Sequence, residues 1–100
     1  MVVIFDVAEG LIRAISQQGD ELGSVEVHEH EEFCEVRNLK LADETKTGIG
    51  AMLAYKAVGE CQKPVYFSVE TMNFEAMDFY RKLIEKGRLQ MTHIVFRVVP

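Results

Sequence analysis

The sequence predicts a mixed α+β fold in a single domain spanning residues 1–100, and three features of the chain support this. Up to Leu41 it runs in short segments rich in β-branched and aromatic residues, separated by turns at Gly10 and Gly19 and by the polar stretch His30-Glu31-Glu32. From Ile49 the period changes: Ile49, Leu53, Ala57 and Cys61 recur at the spacing of one helical face. Past Pro64 a short apolar run, a second helical stripe and a last β-rich run follow, the pattern of a strand–helix–strand crossover. The expected order is ββββαβαβ, with antiparallel strands first and then β-loop-α-β-α-β.

VVIFDV reads as the first strand, closed by a turn at Ala8-Glu9-Gly10. LIRAIS and ELGSVEVHEH make a hairpin around Gly19-Asp20. In FCEVRNLKL strict alternation puts Phe33, Glu35, Arg37, Leu39 and Leu41 on one face, and Cys34, Val36, Asn38 and Lys40 on the other. Neither face is cleanly apolar, so this strand is expected to have one end in a site and the other in the core. A helix should span about 48–61 and stop at Gln62-Lys63-Pro64. PVYFSVE reads as a strand covered on both faces. The next helix starts at Thr71-Met72-Asn73 and buries Ala76, Phe79, Tyr80 and Leu83. Its Glu75 and Asp78 come early, Arg81, Lys82 and Lys86 come late, and Gly87 stops it. LQMTHIVFRVV is the last strand.

Composition narrows the function classes. With 48% hydrophobic and 27% charged residues the chain is of ordinary globular type, neither disordered nor a coiled coil. Its net charge of −5 and eleven scattered Lys and Arg argue against a nucleic-acid partner. No apolar run approaches the ~18 residues of a membrane span, and no basic leader precedes the first strand. A cytoplasmic, unprocessed chain is expected. Cys34 and Cys61 lack CxxC spacing and read as reduced, packed thiols. His28 and His30 share a strand face, but no third ligand stands at a recognisable spacing, so no metal is expected. His93 reads as a packed or edge residue.

The informative segment is Thr45-Lys46-Thr47-Gly48-Ile49-Gly50 at a helix start. Orphan backbone N–H groups and the positive end of the helix dipole favour an anion there, and glycines let it approach the backbone. A Walker A loop is excluded because Ala51-Met52 follows Gly50, where Lys and Ser/Thr are required. A dinucleotide fingerprint is excluded by Leu53 and by the antiparallel segments before the loop.

From Lys46 to Gly87 the chain resembles the GNAT acyl-CoA N-acyltransferase superfamily. The family loop is Arg/Gln-x-x-Gly-x-Gly/Ala, and here Thr45 stands at its first position, with Gly48 and Gly50 following. The later signature Asn-x-x-Ala-x-x-Phe-Tyr-x-Lys is met by Asn73, Ala76, Phe79, Tyr80 and Lys82. The resemblance implies a sheet that splays open after its fourth strand, with acetyl-CoA as acyl donor lying in the gap. Lys46, Thr47, Gly48, Gly50 and Ala51 would contact the pyrophosphate, backbone groups around Leu39 to Leu41 would pair with the pantetheine, and Asn73 would face the cofactor arm. Tyr80 would serve as general acid to the departing thiolate, or else is a core tyrosine on the apolar stripe.

Acyl transfer to an amine needs the neutral amine, hence a base. Glu35 is the first candidate, on the supposition that it shares a face with Leu39 and Leu41, where part-burial would raise its pKa; His28 and His30 are less direct candidates. The alternative for Glu35 is an ion pair with Arg37. Family members usually carry helices between the first two strands, where this chain has only Ala8-Glu9-Gly10. The acceptor is therefore expected to be a primary amine that supplies its own complementary surface, such as a protein lysine or N-terminus, or the cleft is completed by a homodimer. The competing reading is a catalytically degenerate module that keeps the fold and CoA affinity and acts by binding or dimerisation.

Overall fold

In the computed structural model, which describes residues 2–43, 48–70, 74–86 and 93–97, two tight turns open the chain. Glu9 (φ 47°) and Gly10 (φ 82°) both take positive φ, the two-residue hairpin geometry whose twist matches its strands. Glycine is needed here because a Cβ at Gly10 would stand 2.8 Å from the Val27 carbonyl oxygen. This turn joins β1 (Val3–Ala8) to β2 (Leu11–Ser16), and a turn through Gly19 (φ 92°) joins β2 to β3 (Glu21–Glu29). There follow β4 (Cys34–Leu41), α1 (Ile49–Gly59), β5 (Val65–Glu70), α2 (Phe74–Glu85) and β6 (His93–Arg97).

The strands form one mixed sheet in the order β1-β2-β3-β4-β5-β6. Neighbours from β1 to β4 run antiparallel, whereas β4, β5 and β6 run parallel because a helix intervenes between each pair. The class is therefore mixed α+β. Both helices cover the same face of the sheet: Leu53 and Ala57 of α1 and Tyr80 and Leu83 of α2 join one buried cluster with Ile12, Val25, Val36 and Phe67. The opposite face carries Asp6, Arg13, Glu26, Glu35 and Arg37, which pair with one another or with other polar neighbours on that face.

The alternation in β4 breaks at one residue. Cross-strand partners pass from Glu26↔Arg37 to Ser24↔Lys40, so β4 advances by three residues while β3 advances by two. The inserted residue is Asn38, in the left-handed region at φ 54°. This β-bulge uses the side chain that tolerates such a backbone best after glycine. Its consequence corrects the strict alternation expected from the sequence. Leu39 and Leu41 lie on the helix-covered face with Val36, packed on the core, and Glu35 and Arg37 lie on the other.

Cys34 is buried and Cys61 half-buried. Burial first, and then a hydrogen bond with Cys34, pushes the Cys61 thiol up to about 12, the behaviour of an unreactive, packed thiol. Among the described residues no helix is long and apolar enough to cross a membrane, and no three His, Cys, Asp or Glu side chains are grouped to hold a metal.

Candidate functional site

β4 and β5 pair over only three rungs, Cys34↔Val65, Glu35↔Tyr66 and Val36↔Phe67. Beyond Val36, β4 continues to Leu41 without β5, and β5 continues to Glu70 paired, among the described residues, to β6 alone, through Ser68↔Val95 to Glu70↔Arg97. The two strands therefore diverge from Arg37 and Ser68 onward. The cause is local: a bulge bends its strand and increases its twist, and Asn38 sits just past the last rung. Among the described residues no strand pairs with these facing edges, a geometry that suits an extended group carrying its own amides.

At the wide end of this opening stands the start of α1. Gly48 caps the helix at φ 91° with no side-chain cap, and the first turn carries no acidic residue. The first helical bond runs from the Met52 N–H to the Gly48 carbonyl (3.0 Å), so the amides of Ile49, Gly50 and Ala51 precede the hydrogen-bonded ladder. Gly50 is buried, and a Cβ there would lie 3.1 Å from the Phe79 Cζ and 3.8 Å from the Leu39 Cδ2. Glycine thus lets α1, α2 and the half of β4 beyond its last rung to β5 meet at one point. Leu41 packs one step further along, against Gly23 and near Leu53. Gly48, Gly50, Ala51, Leu39 and Leu41 are therefore gathered around the opening. Lys46, Thr47 and Asn73 lie outside the described residues.

Tyr80 reaches the narrow end. Its ring packs on Phe67, the last residue of β5 paired to β4, at 4.6 Å between centroids and 59° between planes, and meets Phe79 edge-on at 5.2 Å. At 3% exposure the phenol is held above its ordinary pKa by burial, so it remains protonated across the physiological range.

Glu35 is on the other face, and the expectation of a raised carboxyl beside Leu39 and Leu41 is corrected. The Arg37 guanidinium donates to it, the Ser68 hydroxyl donates to its second oxygen, and His30 Nε2 lies 3.1 Å away. Arg37 chiefly, against the opposing pull of burial and with help from Ser68 and His30, brings the pKa down to about 2. So strongly held a carboxylate is a poor proton acceptor at neutral pH. The ion pair with Arg37 is the reading that holds. Sequence reasoning missed Asn38 and Ser68. The signal for the first was present, because apolar residues sit at 34 and 36 and then at 39 and 41, a change of parity that marks an inserted residue.

A separate cavity of about 500 Å³ lies between the β2–β3 turn and the end of β4, lined in part by Asp20, Glu21 and Asp43. Its carboxylates disfavour a phosphate. The start of α1, by contrast, has no acidic residue in its first turn. No family model, no curated protein and no solved structure matches this chain.

Proposed function

We propose that this chain is an acyltransferase of GNAT type, which takes acetyl-CoA into the opening between β4 and β5 and passes the acetyl group to a primary amine. The observation that carries this reading is the divergence of β4 and β5 after three rungs, at a bulge, beside an uncapped helix start. The order β1β2β3β4α1β5α2β6 resembles that family's arrangement.

The residues present fit such a donor. The β5-facing edge of β4 at Leu39 to Leu41 would hold the two amides of a pantetheine arm in the manner of an added strand. The amides of Ile49 to Ala51, with open space beside Gly48, would donate to a pyrophosphate, joined by Lys46 and Thr47, which precede them in the sequence. Asn73, just before α2, would face the arm. Acetyl-CoA supplies the activated acyl carbon and a thiolate leaving group. Tyr80, protonated and packed against the last rung, gives its proton to that thiolate as charge builds on sulfur.

Acetyl-CoA at 100 times its dissociation constant is expected to stabilise the fold by about 2.7 kcal/mol, which is roughly a 10–20 °C rise in Tm for a chain of this size. No shift at millimolar acetyl-CoA removes the reading. Tyr80→Phe keeps the ring packing and is expected to slow thiol release by about 10²-fold with acetyl-CoA affinity unchanged. An unaltered rate would return Tyr80 to a purely packing role.

One observation favours a non-catalytic reading. The β1–β2 connection is only Glu9-Gly10, so nothing between those strands builds the acceptor side that the family's helices provide. A binding or dimerisation module of this kind would show the acetyl-CoA shift and release no thiol with any amine.

A further inference from the structure

With Glu35 committed to Arg37 and Ser68, such a transfer would need another proton acceptor for the incoming ammonium among the described residues. We propose that His28 of β3 is that acceptor, with Glu26 and Asn38 as its positioning residues at the mouth of the β4–β5 opening; this rests on the acyltransferase reading above.

Register places His28 there. It stands opposite Glu35, and Glu26 stands opposite Arg37, so the two β3 residues flank Val36, the last rung before the strands part. Glu26 Oε1 lies 2.9 Å from His28 Nε2, and Glu26 Oε2 accepts a 2.7 Å bond from Asn38 Nδ2. The bonds from His28 and Asn38 hold the Glu26 carboxyl below its ordinary pKa, so it is ionised and can only accept. His28 Nε2 must therefore carry the hydrogen, which leaves the lone pair on Nδ1. No described residue bonds to Nδ1 in the structure, and the His28 side chain is 38% exposed, open to an arriving substrate. The same Asn38 that makes the bulge, and with it the opening, thus fixes the carboxylate that fixes the imidazole.

His30 is not equivalent. Its Nε2 faces Glu35, which Arg37 and Ser68 already occupy, and its ring stacks on Phe33 at 4.4 Å, at the zipped end of β4. The charged and titratable groups near His28 are Glu26 and His30 on its own strand, Glu35 and Arg37 on β4, and Glu9 in the turn beside Gly10, whose carbonyl binds Val27.

The protons balance. His28 Nδ1 takes one proton from the ammonium, and the freed nitrogen forms a C–N bond to the thioester carbonyl carbon. As the adduct collapses the C–S bond breaks, Tyr80 protonates the leaving sulfur, and the adduct nitrogen returns a proton to Tyr80. Thioester and ammonium become amide, thiol and one proton, which His28 releases to water.

The test uses the full chain, acetyl-CoA, and a lysine-containing peptide with a free N-terminus as the amine, and follows thiol release from pH 6 to 9 beside the acetyl-CoA thermal shift. His28→Gln is expected to lower the rate at pH 7 by about 10²-fold or more, to steepen its rise toward alkaline pH, and to leave the thermal shift unchanged. Glu26→Gln should move the rising limb of the profile without abolishing it. A His28→Gln profile that superimposes on the unmodified protein overturns the assignment and leaves the acyltransferase reading intact. An unmodified chain that binds acetyl-CoA and releases no thiol overturns it in favour of the binding module. An unmodified chain with no acetyl-CoA shift overturns the functional reading, and the assignment falls with it.

Discussion

Replacing Phe67 by alanine is expected to lower the unfolding free energy by about 3–5 kcal/mol, the usual cost of deleting a buried aromatic ring. Phe67 is 0% exposed and is the largest fully buried side chain among the described residues. Its backbone pairs with Val36 on one side and Ile94 on the other, so the surrounding sheet cannot collapse into the void without breaking rungs. It also loses the tilted ring contact to Tyr80, a further ~0.5–1.5 kcal/mol of aromatic pairing. Against a total stability of about 5–15 kcal/mol this is about a quarter or more. Urea unfolding should show the midpoint falling with little change in slope, and Phe67→Leu should lose much less. A loss below about 1 kcal/mol would show that the ring is not central to packing. The variant also separates packing from chemistry. Tyr80 leans on Phe67 at the closed end of the β4–β5 opening, so removing Phe67 should reduce thiol release even where the fold survives, whereas Tyr80→Phe should do so without loss of stability.

The mixed class and the placing of most elements were legible because their signals are local. Apolar spacing at Ile49, Leu53 and Ala57 gave α1, which ends at Gly59, short of the expected 61, because the Glu60 N–H turns to the Ala57 and Lys56 carbonyls and tightens the last turn. Gly10 and Gly19 marked the two hairpins through their positive φ. The faces of β4 were not legible by alternation, since a period of two assumes that no residue is inserted. Asn38 takes its left-handed conformation because two distant partners reward it: Glu26 receives its amide, and Leu39 and Leu41 reach the core. The environment of Glu35 was half legible. Arg37, two residues along the strand, was visible as a partner, but Ser68 arrives from β5, thirty-three residues away. That single bond helps convert an expected base into a fixed anion. The site followed the same rule: glycines at the start of α1 could be read directly, while the opening beside them depends on where rungs stop, which no local pattern records.

Acidification is expected to remove about 3 kcal/mol of stability through Glu35 alone. The carboxyl sits at about 2 in the folded chain against an ordinary value of 4.5, and each unit of difference is worth about 1.4 kcal/mol. The sign follows from the direction. A depressed pKa means the folded state prefers the ionised group, so the stabilisation is complete above about pH 4.5 and is lost as pH falls toward 2. Solvent screens little of it, because the Glu35 side chain is only 12% exposed. Glu26 is lowered as well and contributes in the same direction, so Glu35→Gln should make the acid limb shallower without flattening it. Urea unfolding of both proteins at pH 7, 4 and 3 measures the difference: the curves should be furthest apart at pH 7, and the gap should shrink to less than half by pH 3. Parallel curves would mean that Arg37 and Ser68 do not hold the carboxylate. At neutral pH the variant is weakened for a second reason. Arg37 Nε is already buried without a hydrogen-bond partner, so removing the charge opposite it leaves a half-satisfied guanidinium in a sheet face. Glu35 on β4 and Ser68 on β5 sit either side of the last rung, so the contact that sets the acid limit also ties the two strands together at the point where they begin to part.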